Sequence, residues 1–196
     1  MNVKKKVKVY EMPTSASGGH YLMKTRLDEL ERWSKKGGIF LSGFQIFLKI
    51  IREINKNNNI EKYFTNPGPD LIVCDEVLFS KDNQCNLYIN LMKVTTKRRI
   101  VLTGNPLQNN LIEYHSMVSF VKPNLLGNTI EFRNRFVNLI SNGQRDDSTD
   151  SEVIEMNKQA HVLNYTLDGV LYRKDISHIM DFLPTKHEYV IVRKAN

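Results

Sequence analysis

Residues 69–76 read PDLIVCDE and residues 98–110 read RRIVLTGNPLQNN, two short apolar runs that each stop abruptly in polar residues. Their relation decides the fold. Leu71, Ile72, Val73 and Cys74 are apolar without alternation, the pattern of an interior strand covered on both faces, and Pro67, Gly68 and Pro69 punctuate its start. Asp75 and Glu76 end the run, with side chains pointing in different directions because successive strand residues alternate. One carboxylate of such a pair suits a magnesium ion held through water. The other suits orienting or deprotonating an attacking water, as in the Walker-B arrangement of nucleotide hydrolysis. A strand running into an acidic loop gives the same letters, so this dipeptide alone proves little.

The second run adds the missing context. Residues 77–101 leave room for a loop, a helix with apolar positions Leu87, Tyr88, Leu91, Met92 and Val94, and a return strand over Ile100 to Leu102. That is a βαβ unit, so the class is α/β and the two strands run parallel. Thr103, Gly104, Asn105 and Pro106 follow, where the glycine permits a tight turn and the threonine hydroxyl can relay a hydrogen bond. The two polar strand ends should therefore lie side by side.

A chain of 196 residues with 41% hydrophobic content is the size of one domain and can build a core. Lys and Arg number 28 against 21 Asp and Glu, a net charge of +7. This excess fits an anionic partner such as nucleic acid, and it fits a surplus of surface lysines as well. Cys74 in the strand and Cys85 in the following helix have no paired spacing, which predicts free thiols in a reducing compartment rather than a disulfide framework or metal site. The opening MNVKKKVKVY has no apolar core of a signal peptide, and no later run approaches membrane-spanning length. A soluble, intracellular protein without a membrane partner is expected.

Along the chain, Val3, Val7 and Val9 alternate with lysines as in a strand with one charged face; Lys4 to Lys6 and Lys8 also read as a nuclear-localisation patch. Thr14 to Gly19 is a loop. Leu22, Met23, Leu27, Leu30 and Trp33 recur at helical intervals, and Gly37 and Gly38 stop that helix. Phe44, Phe47, Leu48, Ile51 and Ile54 predict the buried face of a second helix, which ends at Asn57 to Asn59. Leu111 to Val121 predicts a helix apolar on one face and stopped by Pro123, with His115 as a packed or surface residue. TIEFRNRFVNLI, residues 129–140, places Phe132, Phe136 and Leu139 on one helical side. Ser141 to Glu152 reads as a mobile polar loop, Val153 to Leu167 as a returning helix, and Glu188 to Val192 as a closing strand.

VLTGNPLQNNLIEYHSMV, residues 101–118, closely resembles motif III of the Swi/Snf-type chromatin-remodelling ATPases of helicase superfamily two, and LIVCDE resembles their motif II. EFRNRF, RKD and LPTKHEYV resemble the helical protrusion, the arginine-rich segment and the closing strand of that family's first ATPase lobe. GGIFLSGFQIF resembles the strand and helix start just downstream of its DNA-contacting motifs. The resemblance implies an incomplete RecA-like lobe, with a mainly parallel sheet flanked by helices and a helical protrusion. Residues 1–122 would form the partial lobe, 123–167 the protrusion, and 168–196 the return to the lobe and its closing strand. Asp75 and Glu76 become the catalytic pair, with Asp75 the magnesium ligand through water. Thr103, Gly104, Asn105 and Gln108 become the coupling motif. Arg173 and Lys174 become interlobe residues, unless they are a solvated turn. ATP and Mg2+ are the implied cofactors, duplex DNA, nucleosomes and a second ATPase lobe the implied partners, and the nucleus the implied compartment.

Three departures from the family pattern bear on activity. Val77 and Leu78 stand where motif II has a small residue and a histidine, and Asn105 replaces the second threonine of motif III. No GxxxxGK[ST] phosphate loop occurs in the 196 residues. The expectation is a piece of a DNA-dependent remodeller that does not turn over ATP by itself; the alternative is a non-catalytic chromatin-associated interaction module.

Overall fold

The computed structural model describes residues 7–14, 19–56, 61–65, 68–77, 86–104, 111–174 and 184–189. Four short strands and a set of helices make a mixed α/β fold of the partial RecA-like kind. In chain order they are β1 (Val9–Glu11), α1 (Gly19–Lys36), β2 (Ile39–Leu41), α2 (Phe44–Lys56), a π-helical turn (Glu61–Thr65), β3 (Ile72–Asp75), α3 (Asn86–Met92), β4 (Arg99–Leu102) and α4 (Leu111–Val121). Then come α5 (Thr129–Phe132), a second π-helical turn (Arg133–Val137), α6 (Asn138–Gly143) and α7 (Asp150–Thr166).

Among the described residues the strands form two parallel pairs, β1 with β2 and β3 with β4, rather than one continuous sheet. Val9 faces Ile39 in the first pair and Ile72 faces Arg99 in the second, each pair joined through a crossover helix. Gly37 and Gly38 turn the chain from α1 into β2. A Cβ on Gly38 would lie 2.4 Å from the carbonyl oxygen of Lys8, so a side chain there would push β1 away from β2. The Trp33 indole donates to the Gly38 carbonyl at 3.0 Å, and its ring begins an aromatic cluster with Phe40 and Phe64 that Phe47 extends.

Helices cover one face of each strand pair, and Tyr10, Met12, Phe40, Ile72, Cys74 and Val101 pack there with Leu30, Ile50, Ile51 and Leu91. The opposite face is bare. Val9, Ile39, Leu41, Leu71, Val73, Ile100 and Leu102 are each 44–52% exposed. The unbroken apolar run at 71–74 is thus covered on one side only, contrary to the two-sided burial its pattern predicts. A parallel sheet needs a layer on each face, and the described residues supply one. The phase of β1 is also corrected, because Val9 points outward while Tyr10 and Met12 are buried.

The helical part departs from expectation in three places. α4 is buried nearly all round, at Ile112, Tyr114, His115, Ser116, Met117, Val118 and Phe120, because it packs against β4 and also against α5 and the second π-helical turn. The wide π-helical turn shifts the buried positions to Phe132, Phe136 and Ile140, with Leu139 only half-buried. Residues 141–152 are not one loop: α6 runs to Gly143 and α7 begins at Asp150, capped by the Thr149 side chain and a reciprocal Glu152 contact. At Gly143 an added Cβ would sit 2.4 Å from that of Met156, so the glycine sets how closely α6 approaches α7. Val3, Cys85 and most of the expected closing strand lie outside the described residues; 184–189 contain no strand. Among the described residues no helix is long and apolar enough to cross a membrane.

Candidate active site at the ends of β3 and β4

β3 delivers Asp75 as its last residue, opposite Leu102 of β4, and Asp75 is exposed. At Glu76 the backbone leaves the strand with φ 48°, a left-handed conformation that residues with a Cβ rarely adopt. The Glu76 N–H still donates to the Leu102 carbonyl at 2.9 Å, prolonging the β3–β4 ladder by one step. The carboxylate reaches the chain that leaves β4. Its Oε1 accepts the Gly104 N–H at 3.0 Å, and its Oε2 accepts the Thr103 hydroxyl at 3.4 Å. The two polar strand ends therefore do lie side by side, joined through one side chain.

This arrangement separates the two carboxylates chemically. Glu76 is oriented by two donors from the neighbouring strand end, as a base that positions water must be. Asp75 points from the strand end into solvent-accessible space. Among the described residues no group of three or more His, Cys, Asp or Glu is placed to hold a metal. A lone carboxylate fits magnesium, which keeps several waters and takes its remaining ligands from substrate phosphates, better than it fits a metal needing a full protein cage. The donor set is thus compatible with Asp75 as a water-mediated magnesium ligand.

Beneath the site, Val77 is fully buried and Cys74 is a buried free thiol. Burial pushes the Cys74 thiol up to about 11, with the nearby Arg99 cation opposing the shift. Arg99 was not anticipated from the sequence. Its guanidinium donates to the carbonyls of Val94 at 2.9 Å, Phe120 at 3.1 Å and Thr96 at 3.0 Å, and stacks 4.8 Å from the Phe120 ring centre. It ties the ends of α3 and α4 to the base of β4, and burial lowers its pKa from the usual guanidinium value. The signal available was an arginine set directly before an apolar strand, a place where its long side chain must run inward or along the helix ends.

His115 is a packed residue, with Nε2 3.0 Å from the Gly127 carbonyl and its ring 4.7 Å from that of Phe132. Arg173 and Lys174 are exposed beyond α7, with Lys174 Nζ 5.8 Å from the Tyr172 ring centre. No hydrogen bond or ion pair among the described residues joins either to Asp75 or Glu76. Leu78, Asn105 and Gln108 fall outside the described residues.

The sequence profile of the SNF2-related domain matches residues 5–195. The chain belongs to the SNF2-related domain family, the Swi/Snf-type ATPases. It is 45% identical over 167 residues to the human transcriptional regulator ATRX, a match covering 83% of this chain and 7% of that protein. It is 42% identical over 173 residues to the Drosophila melanogaster ATRX homolog, covering 85% and 13%. Against the Arabidopsis thaliana protein CHROMATIN REMODELING 20 it is 41% identical over 176 residues, covering 87% and 12%. The chain thus spans a small fraction of the length of these SNF2-related relatives. Activity in this SNF2-related family is ATP-dependent.

Proposed function

We propose that residues 1–196 are the part of the first ATPase lobe that carries motifs II and III of a DNA-dependent, ATP-driven chromatin remodeller working in the nucleus. In this reading residues 1–122 and 168–196 belong to the lobe and 123–167 to a helical protrusion, with duplex DNA, nucleosomes and a second lobe as partners. The observation that carries it is the Glu76 carboxylate held by Thr103 and Gly104. That contact makes the orientation of the water-positioning base depend on the backbone of motif III, the physical form that coupling between hydrolysis and DNA movement would take. The relatives named for chromatin remodelling and transcriptional regulation support the same reading.

ATP would supply the phosphoryl group; Asp75 would hold magnesium through water, whose charge would offset that of the phosphates, and Glu76 would orient the attacking water and accept its proton. Asn105 and Gln108 extend the coupling segment, and Arg173 and Lys174 face the second lobe. The residues present do not cradle a triphosphate: no phosphate loop occurs in the sequence, and the Gly104 amide is committed to Glu76. The 196-residue chain therefore binds ATP weakly and turns it over at background rate. A steady-state assay with saturating duplex DNA tests this. Turnover well above background that Glu76→Gln abolishes would overturn the claim of inactivity and place a phosphate site within these residues.

A further inference from the structure

His115 stands on α4 with 1% of its surface exposed, and α4 is the first described element after the Thr103–Gly104 segment that Glu76 holds. The 3.0 Å partner of its Nε2 is the Gly127 carbonyl, which only accepts, so the ring hydrogen sits on Nε2. A second acceptor lies within reach. Ser119, one turn further along the same helix, places its hydroxyl oxygen 3.4 Å from the same nitrogen. The other ring nitrogen, Nδ1, is buried and has no partner among the described residues. A hydrogen bond at one imidazole nitrogen commonly fixes what the other does, but here only Nε2 is held. The ring, stacked 4.7 Å from Phe132, can therefore swing between acceptors and break nothing at Nδ1.

The Gly127 end is built to move as a piece. The next residue, Asn128, caps α5: its side chain accepts the N–H groups of Ile130 and Glu131 at 2.9 Å each, and the Glu131 carboxylate accepts the Asn128 N–H at 2.8 Å. Those bonds lie within residues 128–131, so α5 and its cap can shift together without breaking them. The bond from His115 to Gly127, by contrast, joins that piece to α4.

We propose that His115 is a two-position latch between α4 and the root of the helical region. In the position seen here its Nε2–H is given to Gly127; in the other, α5 has slid along α4 and the same N–H is given to Ser119. The reason for a second position is the cost of a buried donor left without an acceptor, which exceeds the net worth of an ordinary hydrogen bond. With Gly127 as the one acceptor, sliding would strand that donor. Ser119 moves with the ring on the same helix and prevents this. The shorter contact to Gly127 makes the present position the major one. A displacement of α4, which follows the strand end that Glu76 grips, would pass to the helical region as His115 changes acceptor. The latch is set by contacts within this chain and does not rest on the remodeller reading.

Relaxation-dispersion NMR of the 196-residue chain reads motion on the microsecond-to-millisecond scale and tests the latch. The expected result is exchange at one common rate in the His115 ring and the amides of Gly127, Asn128 and Ser119. Ser119→Ala should lower the minor population by about fivefold or more, because the second position then strands the donor. His115→Phe keeps a ring against Phe132 but has no N–H to give, so the shared exchange should vanish. A Ser119 hydroxyl that only packs gives the opposite sign: its loss loosens α4 and raises the exchange. Three results overturn the proposal: no exchange at Gly127 in the unaltered chain; exchange that Ser119→Ala leaves unchanged or raises; or exchange that survives His115→Phe. Ser119 is half-buried on a helix, a position that alanine suits, so Ser119→Ala decides the matter even where His115→Phe does not fold. None of these readouts depends on ATP hydrolysis, so failure here leaves the remodeller reading standing, and failure of that reading leaves this one.

Discussion

The helices from α4 to α7 and the strands from β1 to β4 are built to different degrees of completion. The helical region closes on itself: Phe132 and Phe136 are buried, α5 and α7 each begin with a full capping box, and Gly143 lets α6 and α7 meet closely. The strand region holds the candidate chemistry, but among the described residues each pair is covered on one face and β2 and β3 are not hydrogen-bonded to each other. Stability and chemistry therefore reside in different parts of the chain. The part with the carboxylates depends more on whatever packs against it.

The sharpest way to break this contrast is to truncate one side chain in each region. Phe132→Ala should cost about 3–5 kcal/mol, the usual range for a buried phenylalanine. Val73→Ala, on the bare face, should cost less than about 1 kcal/mol, because a half-exposed side chain has little burial to lose. Urea unfolding of both variants measures the difference. Equal costs would mean that the bare face is covered in solution.

The second effect is an alkaline loss confined to the strand region. Cys74 is neutral when folded and its pKa is raised from 9.0 to about 11, chiefly by burial. Its contribution is fully present below about pH 9. It is lost as pH rises from there toward about 11, because only the unfolded chain ionises in that window. Each tenfold change in an ionisation equilibrium corresponds to roughly 1.4 kcal/mol, which puts the upper bound at about 3 kcal/mol. Cys74→Ala should flatten the stability curve between pH 9 and 11, measured by thermal melts across that range.

The smallest effect tests whether the helical region is autonomous. Thr149→Ala removes the N-cap of α7 and should cost about 1 kcal/mol. It should raise amide exchange in α6 and α7 while leaving β3 and β4 unchanged. Equal loosening of the strands would show that the two regions fold as a single cooperative unit.

Much of this division was readable in the residues. The spacing of Phe44, Phe47, Ile51 and Ile54 gave α2 its buried face, and the interval between two apolar runs gave the parallel β3–β4 pair with Asp75 and Glu76 at its end. The one-sided cover of β3 was not readable, because an unbroken apolar run reports what a strand is suited to touch and not what is present to touch it. The shift from Leu139 to Ile140 escaped because a π-helical turn has no strong sequence signature. The Glu76 link to Gly104 escaped for another reason: it depends on a left-handed backbone at a glutamate, where local preference argues against that conformation.

That left-handed glutamate bears on how the protein can be engineered. A non-glycine residue there carries roughly 1–2 kcal/mol of conformational cost that a glycine would not. A library at position 76 screened only for heat resistance should drift toward glycine or asparagine. Each would discard the carboxylate that grips Thr103 and Gly104, so screening for robustness alone would select against the group that ties the two strand ends together.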